Sequence, residues 1–243
     1  MTRKRSKFDW SLLDRKDLVQ FFYQINPEVC EKRISIPKFH KLLTKHIKIK
    51  LPVIVTKKVE KSNKPSELYV GGTYYSYRDK ARSRCIELIF FYSQDKTITV
   101  TKSAFRQFCF QIADTILHEI MHMRQHRRRN FKILPDYAST AESSTQRREQ
   151  EYLGNSDEID AYSFNIACAL MDKYKGNVRK AVKYLDSRRK PNARSNWGWS
   201  MYLEAFDQNH RHPIIRRLKQ KVIRYFPNAL EGKPYRNKDW INR

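Results

Sequence analysis

A chain of 243 residues is long enough for one sizeable core or two small ones, and 40% hydrophobic with 13% aromatic residues supplies material to bury, which excludes a disordered chain. Only 6 glycines argue against a β-rich fold of tight turns. The formal net charge is +25, from 50 Lys and Arg against 25 Asp and Glu, a balance that attracts polyanions.

Residues 1–8 read as a flexible basic arm, and residues 9–243 as a single domain whose core spans about 84–174. The first residues are charged and open no apolar run, so the sequence carries no sign of a secretory signal. No stretch is long and apolar enough for a membrane span, and no membrane partner is expected. Trp10, Leu13, Leu18, Phe21, Phe22 and Ile25 predict an amphipathic helix from Asp9, its N-cap, to Ile25. A second helix is expected over 35–47, carrying Phe39, Leu42, Leu43 and His46.

Strands are expected next, over 47–60, 67–77, 84–92 and 96–101. The last two flank Ser93-Gln94-Asp95 and read as a hairpin. After Ser103 the period changes. Phe105, Phe108, Ile112, Ile116, Ile120 and Met123 recur at helical spacing, predicting a helix to about Arg129 whose closing cations suit its dipole. Residues 135–157 form a long polar connection, a flap or a partly helical excursion. A helix is then expected from Asp157, as N-cap, to Tyr174, ended by Gly176-Asn177. Shorter helices follow near 178–186, 199–208 and 213–225. The expected class is α+β, with strands before the long helix and a mainly helical C-terminal half.

Within the long helix stands His118-Glu119-Ile120-Met121-His122. Four residues carry a helix about 40° past a full turn and about 6 Å along its axis, so two imidazoles at that spacing converge on one ion. Zinc takes such nitrogens in tetrahedral array, and Glu119 lies where it reaches an attacking water. The histidines share a stripe with Gln111 and Thr115 at the border of the apolar face, the edge of a core. The structural alternative is a pair of core or surface histidines. A third protein ligand is needed. His126 continues the spacing but lies about 12 Å along the axis from His118, too far to share the ion. Glu158 is the better candidate: it opens the next helix and shares a stripe with the small or polar Ala161, Asn165 and Ala169. Asp160 is the runner-up.

HEIMH followed by Glu158-Ile159-Asp160-Ala161-Tyr162 resembles the zincin metallopeptidases with a glutamate third ligand, the gluzincin-like branch, in which that Glu is followed three residues later by Ala. The surrounding YLGNSDEIDAY is similar to small metallopeptidase-like proteins encoded by bacteriophages. The resemblance covers roughly residues 84–174 and rests on these two motifs. It implies an α+β zincin-like fold, with a small mixed sheet packed against the long helix, and Zn2+ held by His118, His122 and Glu158. The chain lacks the Gly and third His of the metzincins, and Tyr162 stands where the family has an Asp.

The expected activity is peptide hydrolysis with Glu119 as general base. Tyr152, Tyr162, His210 and His212 are candidate oxyanion donors. The rival is a zincin-fold protein that turns over nothing and serves as a structural or nucleic-acid-associated virion component; a zinc hydrolase acting on a non-peptide amide ranks last. Beyond a protein or peptide substrate, the expected partners are non-specifically bound nucleic acid and virion proteins, in the host cytoplasm or the virion. The cationic clusters are Arg3-Lys4-Arg5, Arg127-Arg128-Arg129, Arg188-Arg189-Lys190 and Arg216-Arg217. The four cysteines, with no CxxC pair, read as reduced thiols, mostly buried.

Overall fold

The computed structural model describes residues 9–60, 68–75, 85–132, 145–187 and 197–235. The basic clusters at 3–5 and 188–190 lie outside these residues, as do residues 135–144 of the polar connection. Among the described residues the protein is mixed α and β, mostly helical, with two small sheets. Its contacts divide into two compact units, Met1–Met123 and Arg124–Arg243, and the division falls inside one continuous helix.

In the first unit the expected N-terminal helix is broken. A single 3-10 turn, Trp10–Leu12, precedes α1 (Arg15–Tyr23), and Asp14 rather than Asp9 is the cap, accepting from the Asp17 N–H at 2.9 Å. Arg15 of α1 is buried and makes a two-pronged bond to Asp114, at 2.5 and 3.0 Å, with its guanidinium over Phe110. After the short α2 (Asn26–Val29) and β1 (Arg33–Ser35), helix α3 runs from Ile36 to Lys50. It overruns the expected end because Phe39, Leu43 and Ile47 form one buried row at helical spacing. Pro52 then disfavours helix at Leu51, so the strand starts late, at Ile54.

Three strands, β2 (Ile54–Val59), β3 (Leu68–Tyr75) and β4 (Cys85–Tyr92), form a mixed sheet of order β2-β4-β3. β4 pairs parallel with β2 and antiparallel with β3. The expected hairpin is absent. β5 (Thr97–Thr99) pairs with β1, far upstream, Ile98 opposite Ile34, because both sides of β4 are already taken.

Helix α4 (Lys102–Arg128) matches its expected span; Thr101 caps it by accepting from the Ala104 N–H. At about 1.5 Å per residue it is about 40 Å long. Phe105, Phe108, Ile112, Ile116 and Ile120 are all buried. Edge-to-face rings, Phe39 on Phe105 and Phe90 on Phe108, join α3 and the mixed sheet to it.

The second unit holds α5 (Thr145–Gly154), α6 (Ser156–Lys173), α7 (Val178–Asp186), α8 (Trp197–Ala205) and α9 (Pro213–Glu231). Among its described residues there is no strand. α6 is its central helix, lying chiefly along α9. Gly176, at φ +79, sits in the left-handed turn after α6, where a side chain would be strained. α9 outruns its expected end at 225 despite Pro227, since buried Phe226 and Ala229 continue its apolar face to the left-handed Gly232. Cys30, Cys109 and Cys168 are buried, and Cys85 is half-buried. Burial raises the Cys109 thiol pKa to about 12. No helix of the described residues is long and apolar enough to cross a membrane.

Candidate metal centre

His118, Glu119 and His122 lie on α4, on the side that its apolar row draws into the core. Their exposures are 7%, 5% and 8%, which removes the surface-histidine reading. The two imidazole Nε2 atoms are 3.0 Å apart. Two nitrogens bonded to one tetrahedral ion at about 2.0–2.1 Å would lie about 3.3 Å apart, so the pair is already close to a chelating separation. The same distance also suits an N–H···N hydrogen bond, so it does not by itself specify a metal.

Glu158 completes the group. It is 4% exposed, and one ligand atom from each of His118, His122 and Glu158 lies within 4.8 Å of the others. A buried carboxylate is costly unless it is paired, and a cation shared with the two imidazoles would supply the counter-charge. Two nitrogens and one carboxylate oxygen, with a fourth position left for water, form a donor set that can hold a metal ion.

The start of α6 is fixed from several sides. Its N-cap is Asn155, which accepts from the Asp157 N–H at 2.8 Å; the sequence reading put that cap at Asp157. Asn155 with Glu158 three residues on is itself a capping-box spacing, so the signal was present. Asp157 instead takes a two-pronged bond from Arg129, at 2.8 and 2.6 Å. Gln125 donates to the Asp157 carbonyl at 3.1 Å. The last turns of α4 thereby hold the first turn of α6. Asp160, the runner-up ligand, is paired with Lys221 at 2.5 Å and is not one of the three clustered groups. His126 is likewise outside the cluster.

Of the candidate oxyanion donors, His212 is committed elsewhere: its Nδ1 caps α9, accepting from the Ile214 N–H, and its ring lies on Phe206. His210 lies edge-on to Trp199. Tyr152 is hydrogen-bonded to Glu158 and to Tyr162. Its pKa is raised, first by desolvation and then by those two neighbours, although the residue as a whole is 47% exposed. Tyr162 meets the fully buried Tyr202 edge-to-face, and the Tyr202 pKa is also raised by burial, Tyr162 and Glu158. Tyrosines therefore surround Glu158, and Tyr202 is the member that the sequence reading missed.

A second feature invisible in the sequence is the approach of β3 to the helix. A Cβ placed on Gly72 would lie 2.6 Å from the Thr115 methyl and 2.8 Å from both Cγ and Oε1 of Glu119. Only a glycine allows strand backbone this near the Glu119 side chain.

Comparison of the chain with known protein families, with curated proteins and with solved structures finds no match.

Proposed function

We propose that this protein is a zinc-dependent metallopeptidase with a zincin-like fold, in which His118, His122 and Glu158 hold the metal and Glu119 is the general base. The observation that carries this reading is the buried convergence of those three ligands, with Glu119 one residue along the helix from His118. Imidazole nitrogens favour zinc over magnesium or calcium, which take oxygen ligands. When bound, zinc would polarise the scissile carbonyl and acidify a water to a pKa of about 7.

The residues of the chain supply the remaining steps. The Glu119 carboxylate accepts the proton of the attacking water and delivers it to the leaving amine. Tyr152, hydrogen-bonded to both Glu158 and Tyr162, is the proposed donor to the developing oxyanion, with Tyr162 beside it. The mixed sheet supports a peptide as substrate. Among the described residues, β3 has no strand on its outer side, and Gly72 of that strand touches Glu119. An extended peptide pairing with this edge would pass the general base.

The test combines metal analysis with peptide turnover. Purified protein is expected to carry about one zinc per chain, and Glu158→Ala to lose most of it. Glu119→Gln is expected to keep zinc and fold while losing hydrolysis, because an amide takes no proton at neutral pH. Equal cleavage by wild type and Glu119→Gln would remove Glu119 from its role. Zinc without turnover on a broad peptide library would favour the non-catalytic alternative.

A further inference from the structure

Between Glu31 and Glu60 the sequence holds Lys32, Arg33, Lys38, Lys41, Lys45, Lys48, Lys50, Lys57 and Lys58, and no acidic residue. α3 sorts the middle of this run by face. Its buried side is Ile36, Phe39, Leu43 and Ile47. At about 100° per residue, Lys38, Lys41, Lys45 and Lys48 fall within about 80° of one another, centred opposite that row. All four are exposed, and together they span about 15 Å of helix. Among the described residues none of them forms a salt bridge. Cations elsewhere are partly spent: Arg129 is held by Asp157, Lys219 by Asp186 and Lys221 by Asp160.

We propose that the lysine face of α3 is a contact surface for the phosphate backbone of duplex nucleic acid. It is independent of the metal centre and of the reading drawn from it. Duplex DNA presents a charge about every 1.7 Å of axis, so a 15 Å cationic stripe faces several phosphates at once. The composition of the face argues against the other polyanions. Lysine is depleted in protein–protein interfaces, whose centres are apolar or aromatic; among the described residues of α3, the exposed large apolar side chain is Ile49, 72% exposed. A membrane-surface helix must insert its apolar side, and that of α3 is already buried in the core. No aromatic side chain lies on the exposed face to stack an unpaired base, so contact is to the backbone and independent of sequence.

The test is a salt titration of full-length protein on a random-sequence DNA duplex. The quadruple variant Lys38→Gln, Lys41→Gln, Lys45→Gln and Lys48→Gln removes four exposed charges and leaves the buried row intact, and circular dichroism checks its fold. A control variant removes four equally exposed charges from the other unit: Arg179→Gln, Lys180→Gln, Arg216→Gln and Arg217→Gln. The α3 variant is expected to lower the slope of log affinity against log salt by about 3–4, and the control by less than about 1. Replacing the four lysines by arginine should retain the wild-type slope. Equal losses in both variants would reduce the effect to net charge and overturn the assignment. So would wild-type affinity in the α3 variant, no binding by wild type at low salt, or displacement of the duplex by poly-glutamate of matched charge.

Discussion

Glu119 is positioned by a residue with no side chain. Gly72 meets no backbone requirement for glycine, since its φ is not in the left-handed region; it is small because Thr115 and Glu119 occupy the space where a Cβ would project. Gly72→Ala must therefore displace the strand or the Glu119 side chain. Either movement alters the proposed base while leaving His118, His122 and Glu158 in place. The expected outcome is a loss of peptide turnover of about tenfold or more with zinc content unchanged, as small misplacements of catalytic groups are amplified in rate. Overpacking should also cost about 1–3 kcal/mol of stability in urea. Gly71→Ala is the matched control: its Cβ would meet only the Phe91 ring edge, at 3.2 Å, which can yield. Equal turnover in Gly72→Ala and wild type would mean that the close approach has no bearing on Glu119.

At the scale of elements, what was legible in the sequence and what was not divide by range. α4 was legible because its apolar period is long and its partners fill one face, and Glu158 was legible because it opens the next periodic segment. The pairing of β5 with β1 was not, since nothing in residues 93–101 reveals that both sides of β4 are occupied by strands from 54–59 and 68–75. The break between Trp10 and Arg15 was hidden for a similar reason, because Arg15 is fixed by Asp114, 99 residues away. The Arg129–Asp157 clamp also escaped a reading by period, which treated Arg127-Arg128-Arg129 as one cationic cluster. Only Arg127 and Arg128 remain for that purpose. Arg129→Ala leaves Asp157 buried without its two-pronged partner at the first turn of α6. A loss on the order of 2–3 kcal/mol is expected in urea unfolding, less than for a fully buried pair because Arg129 keeps some solvent contact. Zinc affinity should fall with it, since Glu158 is the next residue. Arg129→Lys, retaining charge but not the fork, should recover only part of either. Unchanged zinc affinity in Arg129→Ala would show that α6 is held well enough by Asn155 and Gln125 alone.

For the whole molecule, the proposed metal site implies that metal and fold are coupled by mass action. The three proposed ligands are separated by up to 40 positions in sequence and converge only in the folded chain, so zinc held by them would bind the native state far better than the unfolded one. A ligand of this kind stabilises by RT ln(1 + [L]/Kd), about 4 kcal/mol at a thousandfold excess over Kd. Chelation should accordingly lower the unfolding temperature of wild-type protein by several degrees, and restoring zinc should return it. Glu119→Gln should respond as wild type does, because Glu119 is not a ligand. His118→Ala and Glu158→Ala should start lower and respond little, having lost the difference in affinity that chelation removes. Magnesium or calcium in place of zinc should leave the chelated protein unshifted, as a site with two imidazole donors suits neither. The comparison separates binding from chemistry: a chelator-sensitive fold in Glu119→Gln together with absent hydrolysis assigns the metal to the three ligands and the proton transfer to Glu119. A wild-type melting temperature indifferent to chelator and zinc alike would instead identify His118, His122 and Glu158 as a hydrogen-bonded core cluster, with the 3.0 Å contact between the imidazoles as its centre.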